Sequence, residues 1–241
     1  MKSVAVDEIQ VPKQLDEYMR QFVDLFPHGV TYEKETRSAT PIKPFSFGMR
    51  VTHAFIAFAT EFADVTNSLD LVLADFRSLA GHPPISAKEG ERRYFLLTRV
   101  FFYELLRIKD SFPRFLKKME DNGLLTREQR ISSKKMIEDW MKEHYLIRNT
   151  YLHGHTMPKN ESEFDLSLIA AAHDLGYAPE LVPLDGSEKK AYPEFLVALA
   201  TKRHDLFLGL GNAYVKFFQA ILDTTAAWSI ANKLPASSAQ T

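Results

Sequence analysis

The sequence predicts an all-α fold, a bundle of four or five main helices with extra peripheral segments, on three observations. Glycine is sparse, at 10 of 241 residues. Apolar residues recur at helical spacing over long segments, and no stretch alternates in the manner of a half-buried strand. Two four-residue stretches, Ser86-Ala87-Lys88-Glu89 and Thr126-Arg127-Glu128-Gln129, have the form of capping boxes, in which each end of the first helical turn satisfies the other's amide.

The elements follow in order. Pro12 suits the first turn of a helix over residues 12–26, because its fixed φ is already helical. Leu15, Met19, Phe22 and Phe26 then share one face. Residues 27–44 carry Pro27, Gly29, Pro41 and Pro44 and are expected to form a loop. A long helical region covers 45–79 and stops at Gly81 and Pro83-Pro84. Its weak point is Val65-Thr66-Asn67-Ser68, where β-branched and small polar residues could break it. The first capping box opens a helix to about residue 110. Ser111-Phe112-Pro113 is expected to restart a short one that Gly123 ends.

The second capping box launches a helix carrying Ile131, Ile137, Trp140, Met141, His144 and Arg148, closed by Gly154 and Pro158. Residues 159–191 are mixed, with a short helix over 163–175. Tyr192-Pro193 starts a final long helix to about residue 232, where Gly209 and Gly211 allow a kink or close packing. The chain is read as a single all-α domain. Residues 1–44 form an N-terminal helix and loop, 45–232 the bundle core, and 233–241 a disordered tail.

Composition narrows the function classes. There is no cysteine, which excludes disulfides and thiolate zinc sites. Residues 1–10 lack the apolar run of a signal peptide. The most apolar stretch, residues 55–63, is short and interrupted by Glu61, so no membrane span and a cytoplasmic location are expected. The net charge of −1 argues against broad, non-specific nucleic-acid binding. No phosphate-binding glycine loop or nucleophile elbow is present.

The stretch that points to chemistry is Arg148-Asn149-Thr150-Tyr151-Leu152-His153, at the end of the fourth predicted helix. Arginine holds phosphate through planar, charge-assisted hydrogen bonds. Histidine titrates near neutrality. On an ideal helix Asn149 and His153 share a face, whereas Arg148 and His153 stand about 140° apart. They converge if the last turn loosens, as Gly154 allows, or if the long arginine bends around. His144 lies one turn before Arg148. Arg77 and His82 repeat the bare spacing, but Ser78 replaces the amide and Gly81 intervenes, which marks that copy as structural.

Residues 147–154 resemble the motif of HEPN domains (higher eukaryotes and prokaryotes nucleotide-binding), in which an arginine and a polar residue precede a histidine by a few positions. The resemblance implies a helical bundle, often a homodimer with two motifs facing one cleft, and metal-independent RNA cleavage in a defence or toxin–antitoxin setting. It makes Arg148 and His153 the catalytic pair and Asn149 the supporting polar residue. His144, Tyr151 and His155 are further supporting candidates. Glu61, Asp64 and Glu104 are candidates for the acidic residues that often accompany the motif. RNA or a nucleotide is the expected ligand and an antitoxin protein an expected partner.

Two other readings use the same residues. A non-catalytic module would bind a nucleotide, RNA or protein through the cleft. A purely structural bundle would pair Arg148 with an acid and let His153 cap helix carbonyls. Metal binding by His144, His153 and His155 is disfavoured, since no Glu-x-x-His pair of the bundle type occurs, and no cofactor is expected. Tyr94, Phe95, Phe101, Phe102 and Tyr103 are expected in the core or an interface. Lys117-Lys118 and Lys134-Lys135 are expected on solvated faces. His53, His173 and His204 carry no assignment.

Overall fold

Among the described residues, five helices form an all-α helical bundle in the computed structural model, preceded in the chain by one short hairpin. The structure describes residues 30–33, 38–41, 47–153, 161–182 and 188–233. The helix expected over 12–26 and the tail over 234–241 lie outside them. Strands β1 (Val30–Glu33) and β2 (Ser38–Pro41) pair antiparallel, Val30 opposite Pro41 and Glu33 opposite Ser38. This corrects the expectation of a loop over 27–44. Val30, Thr31, Tyr32 and Thr40 suit a strand, but four residues are too few for alternation to stand out among prolines.

Helix α1 spans Phe47–Gly81 without a break at 65–68. Val65, Thr66 and Leu69 are buried there, so packing overrides the low local propensity. Helix α2 spans Ala87–Asp121 and passes through Pro113 instead of restarting. A proline inside a helix costs roughly 3 kcal/mol. Burial of Phe112, Phe115, Leu116 and Met119 on the flanking turns offsets that cost.

The ends of α2 are made by specific hydrogen bonds. Glu89 N donates to Ser86 Oγ at 3.3 Å, half of the expected box. The amides of Ala87 and Lys88 donate instead to the Asp174 carboxylate at 3.1 and 3.2 Å, a cap supplied from a distant element. At the other end Gly123, at φ 69°, donates to Glu120 O while Leu124 N donates to Met119 O. This is a Schellman closure, which needs a left-handed residue at Gly123. Helix α3 (Arg127–His153) opens on a complete capping box: Thr126 N donates to Gln129 Oε1 at 2.8 Å and Gln129 N to Thr126 Oγ1 at 3.2 Å. Helices α4 (Glu161–Asp174) and α5 (Glu194–Lys233) complete the set.

The chain packs as two compact units. The first comprises Asp64–Ile108 and Asp139–Val215. Its centre is Phe207 of α5, stacked on Phe101 at 3.8 Å and met edge-on by Phe76 and Phe102. Tyr214 is buried, donates its hydroxyl to Leu105 O, and stacks with Trp140 at 5.5 Å. Of the aromatic run expected in the core or an interface, Tyr94, Phe101 and Phe102 are buried, while Tyr103 is exposed.

The second unit takes the described residues up to Ala63, Lys109–Glu138 and the described residues from Lys216. Phenylalanines fill it. Phe58 stacks on Phe115 at 4.8 Å, Phe55 meets Phe115 edge-on at 5.2 Å, and Phe218 contacts Phe62 and Phe112.

Helix α5 runs unbroken past Gly209 and Gly211. A Cβ added at Gly209 would meet nothing within 4 Å. Gly209→Ala is therefore expected to stabilise the protein by about 0.5–1 kcal/mol, through helix propensity and a less free unfolded chain. Urea unfolding checks this, and an unchanged or lower midpoint would contradict it.

Candidate functional site

The capping box at Thr126 and the long run of α3 carry the backbone helically through His153, so Arg148, Asn149 and Tyr151 all lie in its last two turns. Helical geometry keeps Asn149 and His153 one turn apart and leaves Arg148 and His153 about 140° apart around the axis. The last turn does not loosen before His153. Asn149 is half-buried. The side-chain surroundings of Arg148, Tyr151 and His153, and all of His155, lie outside the described residues.

His144 is the one titratable member of this set whose environment is described. Its ring lies against Trp140, with centroids 6.0 Å apart, and Trp140 continues the stack to Tyr214. Its Nδ1 is buried and has no hydrogen-bond partner among the described residues. Burial holds the imidazole pKa below its usual value, with the Glu143 charge opposing. His53 of the second unit is depressed likewise, by burial first and then by the Lys118 charge.

These two histidines give stability a pH dependence. The unfolded chain binds their protons more readily than the native state does. Stability is therefore full above the unfolded pKa, about 6.5, and declines as pH falls from there towards the lower native values. Thermal unfolding followed across this range should show that decline, and His144→Leu should make it shallower. A midpoint that stays flat or rises as the solution is acidified would contradict the assignment.

The candidate acids fall in different surroundings. Asp64 and Glu104 both pair with Arg107, Glu104 at 2.9 Å from Nη1. Glu61 lines a cavity of the second unit. At the repeated spacing, α1 ends at Gly81 and His82 N donates to Ser78 O at 2.8 Å, an ordinary helix end. Lys117 pairs with Glu120 and Asp121, and Lys134 with Glu138, on exposed faces.

The charged cluster that sequence reasoning passed over lies in the first unit. Glu163, at the start of α4, is 1% exposed and accepts a hydrogen bond from Arg203 Nη2 of α5. Arg203 Nε donates to Tyr94 Oη at 2.9 Å, and its guanidinium sits 5.4 Å from the Phe207 ring centre. Burial pushes the Tyr94 phenol up to about 12, against the pull of Arg203. One signal was available. Arg203 falls at helical spacing between Leu196, Leu199 and Ala200 on one side and Phe207 on the other, all buried. A cation on an apolar stripe implies a buried partner.

The fold thus defines a helical-bundle class of protein. No family model, curated protein or solved structure matches the chain. Among the described residues, no group of three or more histidine, aspartate or glutamate side chains could hold a metal ion, and no helix is long and apolar enough to cross a membrane.

Proposed function

We propose that the chain is a HEPN-like, metal-independent endoribonuclease. The observation that carries this reading is Arg148-Asn149-x-x-x-His153 at the last turns of α3, within an all-α chain. In the proposed reaction an RNA 2′-hydroxyl attacks its neighbouring phosphorus. The O2′–P bond forms, the P–O5′ bond breaks, and a cyclic phosphate and a free 5′-hydroxyl result. His153 takes or delivers a proton, Arg148 stabilises charge on the non-bridging oxygens, and Asn149 orients the histidine or the phosphate.

One imidazole cannot accept and donate in the same step. The roughly 140° between Arg148 and His153 on a continuous helix also separates the pair within one chain. Both considerations favour a homodimer in which two copies of the motif serve one cleft. A defence or toxin–antitoxin setting and an antitoxin protein partner belong to the same proposal and rest on the resemblance; a cytoplasmic location belongs to it too. The second reading is a non-catalytic module that binds RNA, a nucleotide or a protein through the same residues; the net charge of −1 favours a nucleotide or a protein over a long RNA as its ligand. RNA cleavage in the presence of EDTA, compared between wild type, Arg148→Ala and His153→Ala, tests the first reading. RNA binding without product would favour the second.

A further inference from the structure

We propose that a cleft in the second unit, between the N-terminal half of α1 and the C-terminal half of α2, binds a small phosphomonoester through Arg114 and Lys118. The cavity measures about 200 Å³. Helical spacing builds it: Ala54, Ala57 and Glu61 line it from α1, and Ser111, Arg114 and Lys118 from α2. The two alanines leave the room, and the stacked Phe58 and Phe115 give the cleft an apolar floor. The ring pairs Phe55–Phe115 and Phe58–Phe112 show that the two helices run antiparallel here. Glu61 therefore lies towards Ser111, and Lys118 towards His53.

The charges point to an anion. Arg114 and Lys118 stand one turn apart, and neither forms an ion pair among the described residues. Among the described residues, the Arg114 side chain makes a 3.3 Å hydrogen bond from Nε to its own helix at Asp110 O. The neighbouring Lys117 shows the contrast, since its ammonium is held by two carboxylates. Glu61 brings one negative charge to the cleft and has an interaction of its own. Burial lowers the His53 pKa, and the Lys118 charge adds to that lowering.

A guanidinium and an ammonium one turn apart suit a phosphate, which accepts a fork of hydrogen bonds from arginine and a point charge from lysine. Drug-sized ligands fill pockets of roughly 300–1,000 Å³, so this smaller cleft fits a phosphate with a short organic group lying on Phe58.

Titration calorimetry of the full chain with phenyl phosphate tests the proposal. Saturable binding is expected in wild type and in Lys134→Gln, a control on an exposed lysine that is paired elsewhere. The double variant Arg114→Gln/Lys118→Gln should bind at least about tenfold more weakly, as expected for losing charge-assisted hydrogen bonds. Ala57→Leu, which fills the cleft and keeps both cations, should also abolish binding. Both cationic side chains are exposed, so the double variant should retain the wild-type helical signal. Absence of saturable binding in wild type, or a smaller loss in the double variant, would overturn the proposal. The cleft uses neither Arg148 nor His153, so phosphate binding and RNA cleavage stand or fall separately.

Discussion

His153→Ala is expected to reduce EDTA-resistant RNA cleavage by roughly 10²–10⁴-fold, the usual contribution of a positioned general acid or base. The physical basis is narrow. Without a metal, an RNA phosphodiester still needs a proton removed from the 2′-hydroxyl and one supplied to the leaving 5′-oxygen. Among the motif's side chains, only an imidazole changes protonation near neutral pH. Arg148→Ala should lose a comparable factor, about 10²–10³-fold, because charge developing on the phosphate oxygens loses a fixed cation. The two variants should differ in kind. His153→Ala should flatten the pH–rate profile, whereas Arg148→Ala should lower the rate and leave the profile's shape. Products should carry cyclic phosphate ends. Cleavage undiminished in His153→Ala would remove the ribonuclease proposal.

Glu163→Ala is expected to destabilise the protein by roughly 3–5 kcal/mol, because it strips a buried cation of its carboxylate. Glu163 is 1% exposed and the Arg203 side chain 13% exposed, so solvent does little to compensate. For a chain of this size that corresponds to a fall of roughly 6–20 °C in melting temperature. The paired replacement Glu163→Leu/Arg203→Met should recover most of the loss, since an apolar pair of similar volume incurs no desolvation penalty for charge. A double variant no more stable than Glu163→Ala would show that Arg203 acts chiefly through its contacts with Tyr94 and Phe207. A Glu163→Ala variant as stable as wild type would show that the pair contributes nothing net.

Helix existence was legible in the residues wherever the signal was local. The capping box at Thr126–Gln129 forms as written, and Gly123 ends α2 because a left-handed position is needed there. The breaks expected at Val65–Ser68 and at Ser111–Pro113 do not occur, and in both cases buried side chains on either side outweigh a weak local preference. The hairpin at Val30–Pro41 was hidden by its own brevity. For the candidate site, the identity and order of Arg148, Asn149 and His153 are legible, and so is their placement on one helix, because 3.6-residue periodicity is a local property.

What the linear chain determined by itself is therefore the all-α class, the positions of the main helices and a motif whose side chains suit phosphate chemistry. Each follows from interactions spanning a few residues. Tertiary structure alone decided that Asp174 caps a helix nearly ninety positions away, that Arg203 meets Glu163 and Tyr94, and that Arg114 and Lys118 flank a cleft with Ala57. Those pairings join residues far apart in the chain, and their burial sets their energy, so no local spacing rule encodes them.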